Sequence, residues 1–384
     1  MSPLVEPIRG DLHLSATAVA FLTTIPTLAM GVCAPLAAFI ARRIGLHHGV
    51  LLGLGVIAMA SAARGLAGAA WLQLSSAAVV GAGIAIAQTL LPAVVKTRFA
   101  DRAGLVTGVY TAGLGLGGAV AAGISAPLAD ALDSWPAALA SWAILALAGI
   151  VMWAAARRSL RLDNGPAVAG PTTRGLPWRS AMAWRITVLS AVNSALYYCE
   201  LTWLVPLLQD DGHRSAASGG SLLTVMIFIQ VGSMLAVPAL LGESRDKRIG
   251  LALTTAITAV GFAGLAIAPD AGTWIWILAL GIGHGGLFTL VLTLPVAVSR
   301  DAAEAGRFSA MAFFVGYACA ALAPVLVGAL RDVRGDFHMA FGLLAILAAL
   351  MLLPILKLRI RETTAPATID RYTSIPAAGR ETQQ

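Results

Sequence analysis

Charge is what this chain has least of. Lys, Arg, Asp and Glu make up 12% of its 384 residues, about half of the roughly 25% found in a soluble domain. Most of the chain therefore cannot face water. Cysteine is scarce as well: Cys33, Cys199 and Cys319 show no metal spacing and no disulfide framework. Each lies in an apolar run, where a buried thiol acts as a small hydrophobe. The six histidines, His13, His47, His48, His213, His284 and His338, are scattered and mostly fall between the apolar runs. No His, Asp and Ser set converges as a membrane-embedded transferase or hydrolase would need. The chain is expected not to be an enzyme, and to need neither cofactor nor metal. The residues before Ser15, "MSPLVEPIRGDLHL", hold prolines and charges and lack a signal-peptide pattern.

What the chain does have is long apolar runs. Runs of about 18 residues or more, nearly free of charge, read as membrane-spanning helices. Eleven are present: 15–41, 49–66, 71–95, 104–128, 136–156, 186–208, 219–241, 249–267, 274–298, 308–330 and 339–356. The expected fold class is an all-α polytopic membrane protein. The net charge of +7 does not point to nucleic acid, because the basic residues follow a topology. Lys and Arg collect in cytoplasmic loops. With the loop after the first span placed in the cytoplasm, alternate segments hold 21 of the 26 basic residues. Arg9, Arg64, Arg214, Arg331 and Arg334 are the remainder. The expected topology puts Met1 outside and the C-terminus in the cytoplasm, with the chain multi-pass in the inner (plasma) membrane and the lipid bilayer as its partner.

An internal repeat is visible. A shift of 203 residues places Pro35 on Pro238, "LPAVV" at 91–95 on "LPVAV" at 294–298, and Gly113 on Gly316. An ordered series at one offset indicates two homologous halves. The expected division is an N-terminal bundle over 1–156, a basic Gly- and Pro-containing central loop over 157–185, a C-terminal bundle over 186–357, and a disordered polar tail over 358–384. The offset also lays Pro3-Leu4 on Pro206-Leu207, the end of a span. Six spans then stand in the C-terminal half against five in the N-terminal half. The expectation is that one helix of about 20 residues belongs upstream of Met1, which makes the eleven spans helices 2–12 of a 12-helix plan.

Two six-helix halves, a basic central loop and positive cytoplasmic loops resemble the major facilitator superfamily. In the loop between its second and third helices, that family has a Gly-acid-basic-Gly pattern followed by basic residues. Within "APLAAFIARRIGLHH", 34–48, Arg43 and Gly45 fit, while Arg42 stands where the acid is expected. The segments "PLVEPIRGDLHLS", "GIAIAQTLLPAVVKTRF", "GLVTGVYTAGLGLG", "TWLVPLLQDDG" and "GYACAALAPVLVGALRD" are similar to the cyanate and 2-nitroimidazole transporter branch. The resemblance implies two pseudo-symmetric helix bundles working by alternating access, with a small-molecule solute of that kind.

In such folds, substrate and coupling-ion sites lie near the bilayer midplane between the halves. Ionisable groups inside the membrane cost about 2.5–3.5 kcal/mol on insertion scales and are functional candidates by default. The eleven spans hold two charged residues, Arg64 and Glu200. Arg64 lies near a span end and can snorkel outward. Glu200 is near the middle of its span, and Asn193, Tyr197 and Glu200 share one helical face at i, i+4 and i+7. Trp203 continues that face. A polar stripe on an apolar helix points into a cavity, since lipid offers no partners. A carboxyl group there can bind and release a proton during transport; a bond to a neighbouring helix is the structural alternative. His284, flanked by glycines, carries an imidazole, which can accept a proton, orient an anion or pack. Gln88, Tyr110, Gln230 and Tyr317 are uncharged polar candidates in four other spans. The run "GLGLGG", 113–118, lies inside a span and serves helix packing rather than dinucleotide binding. No Walker motif supports direct drive by ATP.

The resulting expectation is a secondary active transporter of a small polar or anionic solute, with protons as coupling ion, acting as a monomer. The alternatives are an efflux pump for small organic compounds and a truncated membrane protein that transports nothing.

Overall fold

The computed structural model describes residues 4, 8, 10–12, 16–66, 69–160, 175–242 and 247–358. Among these the regular structure is helical, with no strand. This is the solution lipid imposes, because a helix satisfies its own backbone hydrogen bonds where no water is present. The first half contains α1 (Ala16–Ala63), α2 (Ala70–Arg98), α3 (Ala103–Ala131), α4 (Trp135–Ser141) and α5 (Ala143–Leu160). The second contains α6 (Ala181–Asp210), α7 (Ala216–Leu241), α8 (Lys247–Ile267), α9 (Thr273–Val298), α10 (Ala302–Arg334), α11 (His338–Leu350) and α12 (Leu352–Leu356). The helix starts Ala70 and Trp135 lie 203 residues before Thr273 and His338, so the repeat seen in the sequence is also a repeat of helix boundaries.

Nine stretches among the described residues are long and apolar enough to cross a membrane. The eleven expected spans are therefore not reproduced one for one. Spans 15–41 and 49–66 run together as α1, interrupted at Gly45, where φ is +80°. Only glycine adopts that left-handed conformation cheaply, and it supplies the tight turn between the two spans. The helix α6 is 30 residues long but not among the nine, because its polar stripe lowers its hydropathy. Arg64 does not reach outward. It is 8% exposed, and its carbonyl accepts a hydrogen bond from Gln73 Nε2 at 3.1 Å. Much of the central loop expected over 157–185, namely 161–174, and all of the tail beyond Leu358 lie outside the described residues.

Glycine sets how closely the helices approach. A Cβ on Gly81 would stand 2.3 Å from the carbonyl oxygen of Pro26 on α1, and one on Gly83 would stand 2.9 Å from the carbonyl oxygen of Gly53. In the second half, a Cβ on Gly285 would meet the Gln230 carbonyl oxygen at 2.5 Å, which seats α9 directly on α7. Without a hydrophobic driving force between helices in lipid, such backbone-to-backbone packing is a principal source of association.

The two halves meet through α1 with α10, α3 with α7, α2 with α10, and α3 with α9. Their contacts gather toward one end of the bundle, where Lys96, Arg98, Arg102, Lys247, Arg248, Arg300 and Arg307 lie at helix ends. At this basic end, Lys96 Nζ donates to the Val296 carbonyl at 3.1 Å, and Val95, Ala103 and Val296 form a small apolar cluster. Deeper in, a Cβ on Gly108 would lie 2.5 Å from the Met234 carbonyl oxygen, and the hydroxyls of Thr111 and Thr289 are 2.9 Å apart. Toward the other end α3 stands clear, since a Cβ at Gly117, Gly118 or Gly123 would meet nothing within 4 Å.

A methyl group at Gly81 has nowhere to go without moving the backbone of α1. Gly81→Ala should destabilise the fold by about 1–3 kcal/mol, read as a lower thermal-unfolding midpoint in detergent. Gly113→Ala, where nothing lies within 4 Å, should leave the midpoint unchanged or raise it slightly.

Candidate functional site

A cavity of about 240 Å³ lies between the halves. The first half contributes Met30 from α1, Gln88 from α2, and Thr111 and Gly115 from α3. The second half faces them with a stripe of α6 (Ser190, Asn193, Ser194, Tyr197, Tyr198), with Phe288 from α9, and with Phe313 and Tyr317 from α10. The α6 stripe arises from helical periodicity: Ser190, Asn193 and Tyr197 are three and then four residues apart, so their side chains stack along one face. The Tyr317 hydroxyl donates to Gln88 Oε1 at 2.7 Å, one buried polar bond that joins the halves across the cavity.

Of the sequence candidates, Asn193, Tyr197, Gln88 and Tyr317 line this cavity. Glu200, His284 and Gln230 form a second group beside it. Glu200 and His284 are both 0% exposed and Gln230 is 2% exposed. Gln230 Nε2 donates to Glu200 Oε1 at 2.5 Å, and His284 Nδ1 lies 2.8 Å from Glu200 Oε2. Three helices therefore converge on one carboxyl group, and both of its oxygens are engaged. Such engagement is what a buried ionisable group requires, because an unpaired one would carry its full desolvation cost. The other imidazole nitrogen, Nε2, is buried without a partner. The glycines around His284 place it: Gly283 packs on α8 at Thr258, and Gly285 packs on α7 at Gln230. Phe262 and Tyr197 close the ring in, edge-on at 6.4 Å and 5.9 Å between centroids. Tyr197 also lines the cavity, so the same residue touches the cavity and packs on the His284 ring.

Two candidates sit elsewhere. Trp203 continues the α6 face by spacing, but it has left the cavity region. Its indole donates to the Pro324 carbonyl at 2.8 Å, and its ring packs 5.5 Å from Phe337 and against Gly328. Tyr110 packs with the Val95–Ala103–Val296 cluster. Its neighbour Thr111, about 100° further round the helix, faces the cavity instead. Sequence reasoning missed Thr111, Ser190, Ser194, Tyr198 and Phe288. Ser190 was discoverable, since it extends the Asn193–Tyr197 stripe by one turn; Thr111 and Phe288 carry no signal that separates them from other helix residues.

The same architecture occurs in known proteins. The Major Facilitator Superfamily profile matches residues 1–324. The chain is 33% identical over 350 residues to the 2-nitroimidazole transporter of Escherichia coli (strain K12), covering 91% of this chain and 88% of that protein. It is 30% identical over 357 residues to the cyanate transport protein CynX of the same organism, covering 92% and 91%. Among solved structures, the proton:xylose symporter XylE superposes with a TM-score of 0.73 at 13% identity, over 93% of this chain and 90% of that one. The transporter FucP in its outward conformation does so with a TM-score of 0.68 at 12% identity, over 92% and 95%. A two-half helical bundle with a central cavity, matched by this profile over most of its length, is a membrane transporter: the chain belongs to the Major Facilitator Superfamily.

Proposed function

We propose that this chain is a secondary active transporter that moves a small polar solute by alternating access, with proton movement coupled through Glu200 and His284. The observation that carries this reading is the Glu200 carboxyl group, fully buried and held by Gln230 and His284, with the cavity-lining Tyr197 packed on the His284 ring. An acid and a base in contact inside a membrane protein can share, take up or give up a proton with little rearrangement. Such groups in membrane bundles mark ion pathways and proton relays. Gln230 orients one carboxyl oxygen, which leaves the other to exchange its proton with the imidazole.

The halves supply the motion. Their contacts at the basic end, Lys96 to Val296 and Gly108 against Met234, hold that end closed while α3 stands clear at the other. If Lys and Arg mark the cytoplasmic side, this arrangement faces outward, and rocking one half against the other would open the basic end. The chain is then multi-pass in the plasma membrane with its C-terminus in the cytoplasm, and it works as a monomer, because the cavity is built from its own two halves. Solutes of the kind named for the relatives, cyanate and 2-nitroimidazole, are the starting set.

Glu200→Gln keeps the shape and removes the titratable group. In proteoliposomes it should abolish solute accumulation driven by a pH gradient while leaving counterflow exchange near the wild-type rate. Accumulation that persists undiminished across a pH series would remove Glu200 from the coupling role. Gly108→Val should cost the closed basic end about 1–3 kcal/mol, about a 5- to 150-fold fall in its ratio to the open form. It should reduce exchange as well as accumulation, with membrane insertion unaffected on immunoblots.

A further inference from the structure

The cavity itself says which solutes suit it. We propose that it accepts an uncharged, flat solute carrying an N–H or O–H donor, bound by the side-chain carbonyl of Asn193, and that it rejects small anions. The inference rests on the transport reading above and narrows its substrate.

Charge is the first consideration. No Lys, Arg or His, and no Asp or Glu, is among the described residues that line the cavity. An anion entering from water must exchange its hydration for cations or for several aligned donors. Helix N-termini could supply such donors as free backbone N–H groups. Here, however, Thr111, Ser190 and Phe313 all lie more than two turns inside their helices, where the backbone N–H groups are already used. The donors that remain, among them the Ser190, Ser194 and Tyr198 hydroxyls and the Asn193 amide, are all uncharged. The nearest base, His284, does not line the cavity and already faces the Glu200 carboxyl group. An anion would be brought toward a carboxyl group without a cation of its own.

Asn193 is the second. It is 2% exposed, lines the cavity, and its Oδ1 has no hydrogen-bond partner. A buried acceptor left unmade is costly, whereas a donor on the solute would satisfy it. The walls supply the third consideration. Tyr197 and Phe288 lie 5.2 Å apart, and Phe313 and Tyr317 are stacked at 5.6 Å with planes 22° apart. Aromatic faces of this kind favour a flat π-bonded solute. The volume of about 240 Å³ is far above the roughly 10–15 Å³ that one water needs, enough for a single substituted ring.

The test uses the full chain, by calorimetric titration in detergent and by uptake in proteoliposomes. The probes are 4-nitroimidazole, its N-methyl derivative, cyanate and benzoate, all at mildly acidic pH. The N–H ring should bind and be transported, the N-methyl ring should bind about tenfold more weakly, and neither anion should bind. Asn193→Leu should bring the two rings to equal affinity. Should that variant fail to fold, the four probes on the wild-type protein decide the matter alone. Binding or transport of cyanate or benzoate at the level of the N–H ring would overturn the proposal, as would equal affinity for the two rings or no binding of either. The two readings fail separately. Proton-driven uptake of an anion would leave the transport reading intact and sink this one; binding of the N–H ring without any movement would do the reverse.

Discussion

The Glu200 carboxyl group constrains much of the second half. With no water to solvate it, both oxygens need partners, and these come from two other helices: Gln230 on α7 and His284 on α9. Bringing three helices that close requires small residues at the crossings. Gly285 and Gly281 on α9 meet Gln230 and Ile229 on α7 with no room for a side chain, and Gly283 does the same toward α8. The glycines therefore permit the polar contact, and the polar contact fixes how these helices are rotated. Without the glycines the carboxyl group would be stranded; without the carboxyl group nothing would demand so specific a rotation.

The same economy holds across the bundle. Buried hydroxyls return to their own helix, as Thr254, Thr258 and Thr293 do by donating to the carbonyl four residues earlier. Other polar groups bond across helices: Ser233 donates to the Ile282 carbonyl within the second half, and Tyr317 with Gln88 and Thr111 with Thr289 join the two halves. These cross-half bonds are short and few, and they lie over a basic end closed by a lysine on a carbonyl. The interface combines a handful of polar bonds and glycine contacts with two small apolar clusters, rather than one large apolar core.

The fold was legible to a large extent, because apolar length and the 203-residue offset both follow from the chain alone. The boundaries of individual spans were less so. Gly45 joins two expected spans through one turn, and α6, which the sequence marks as a span over 186–208, is not among the nine stretches apolar enough to cross a membrane. Half-legible describes the site itself. The i, i+4, i+7 pattern of Asn193, Tyr197 and Glu200 reads directly as one face, but it also drew in Trp203. Over ten residues the helix carries that position up to Phe337 and the Pro324 carbonyl, beyond the cavity. At 110 and 111 the more conspicuous residue was the misleading one: Tyr110 packs into an apolar cluster while the smaller Thr111 faces the cavity.

The sequence by itself determined the environment, the two-half plan and the rarity of charge within the spans, since each of these is a matter of composition or linear period. Only the tertiary structure decided that Glu200, Gln230 and His284 share one hydrogen-bonded group while Gln88 and Tyr317 share another, with Asn193 lining the same cavity. Residues 30, 84 and 229 positions apart become neighbours through helix crossings. Those crossings are set by where a glycine lets two backbones touch, a three-dimensional condition that no linear spacing encodes.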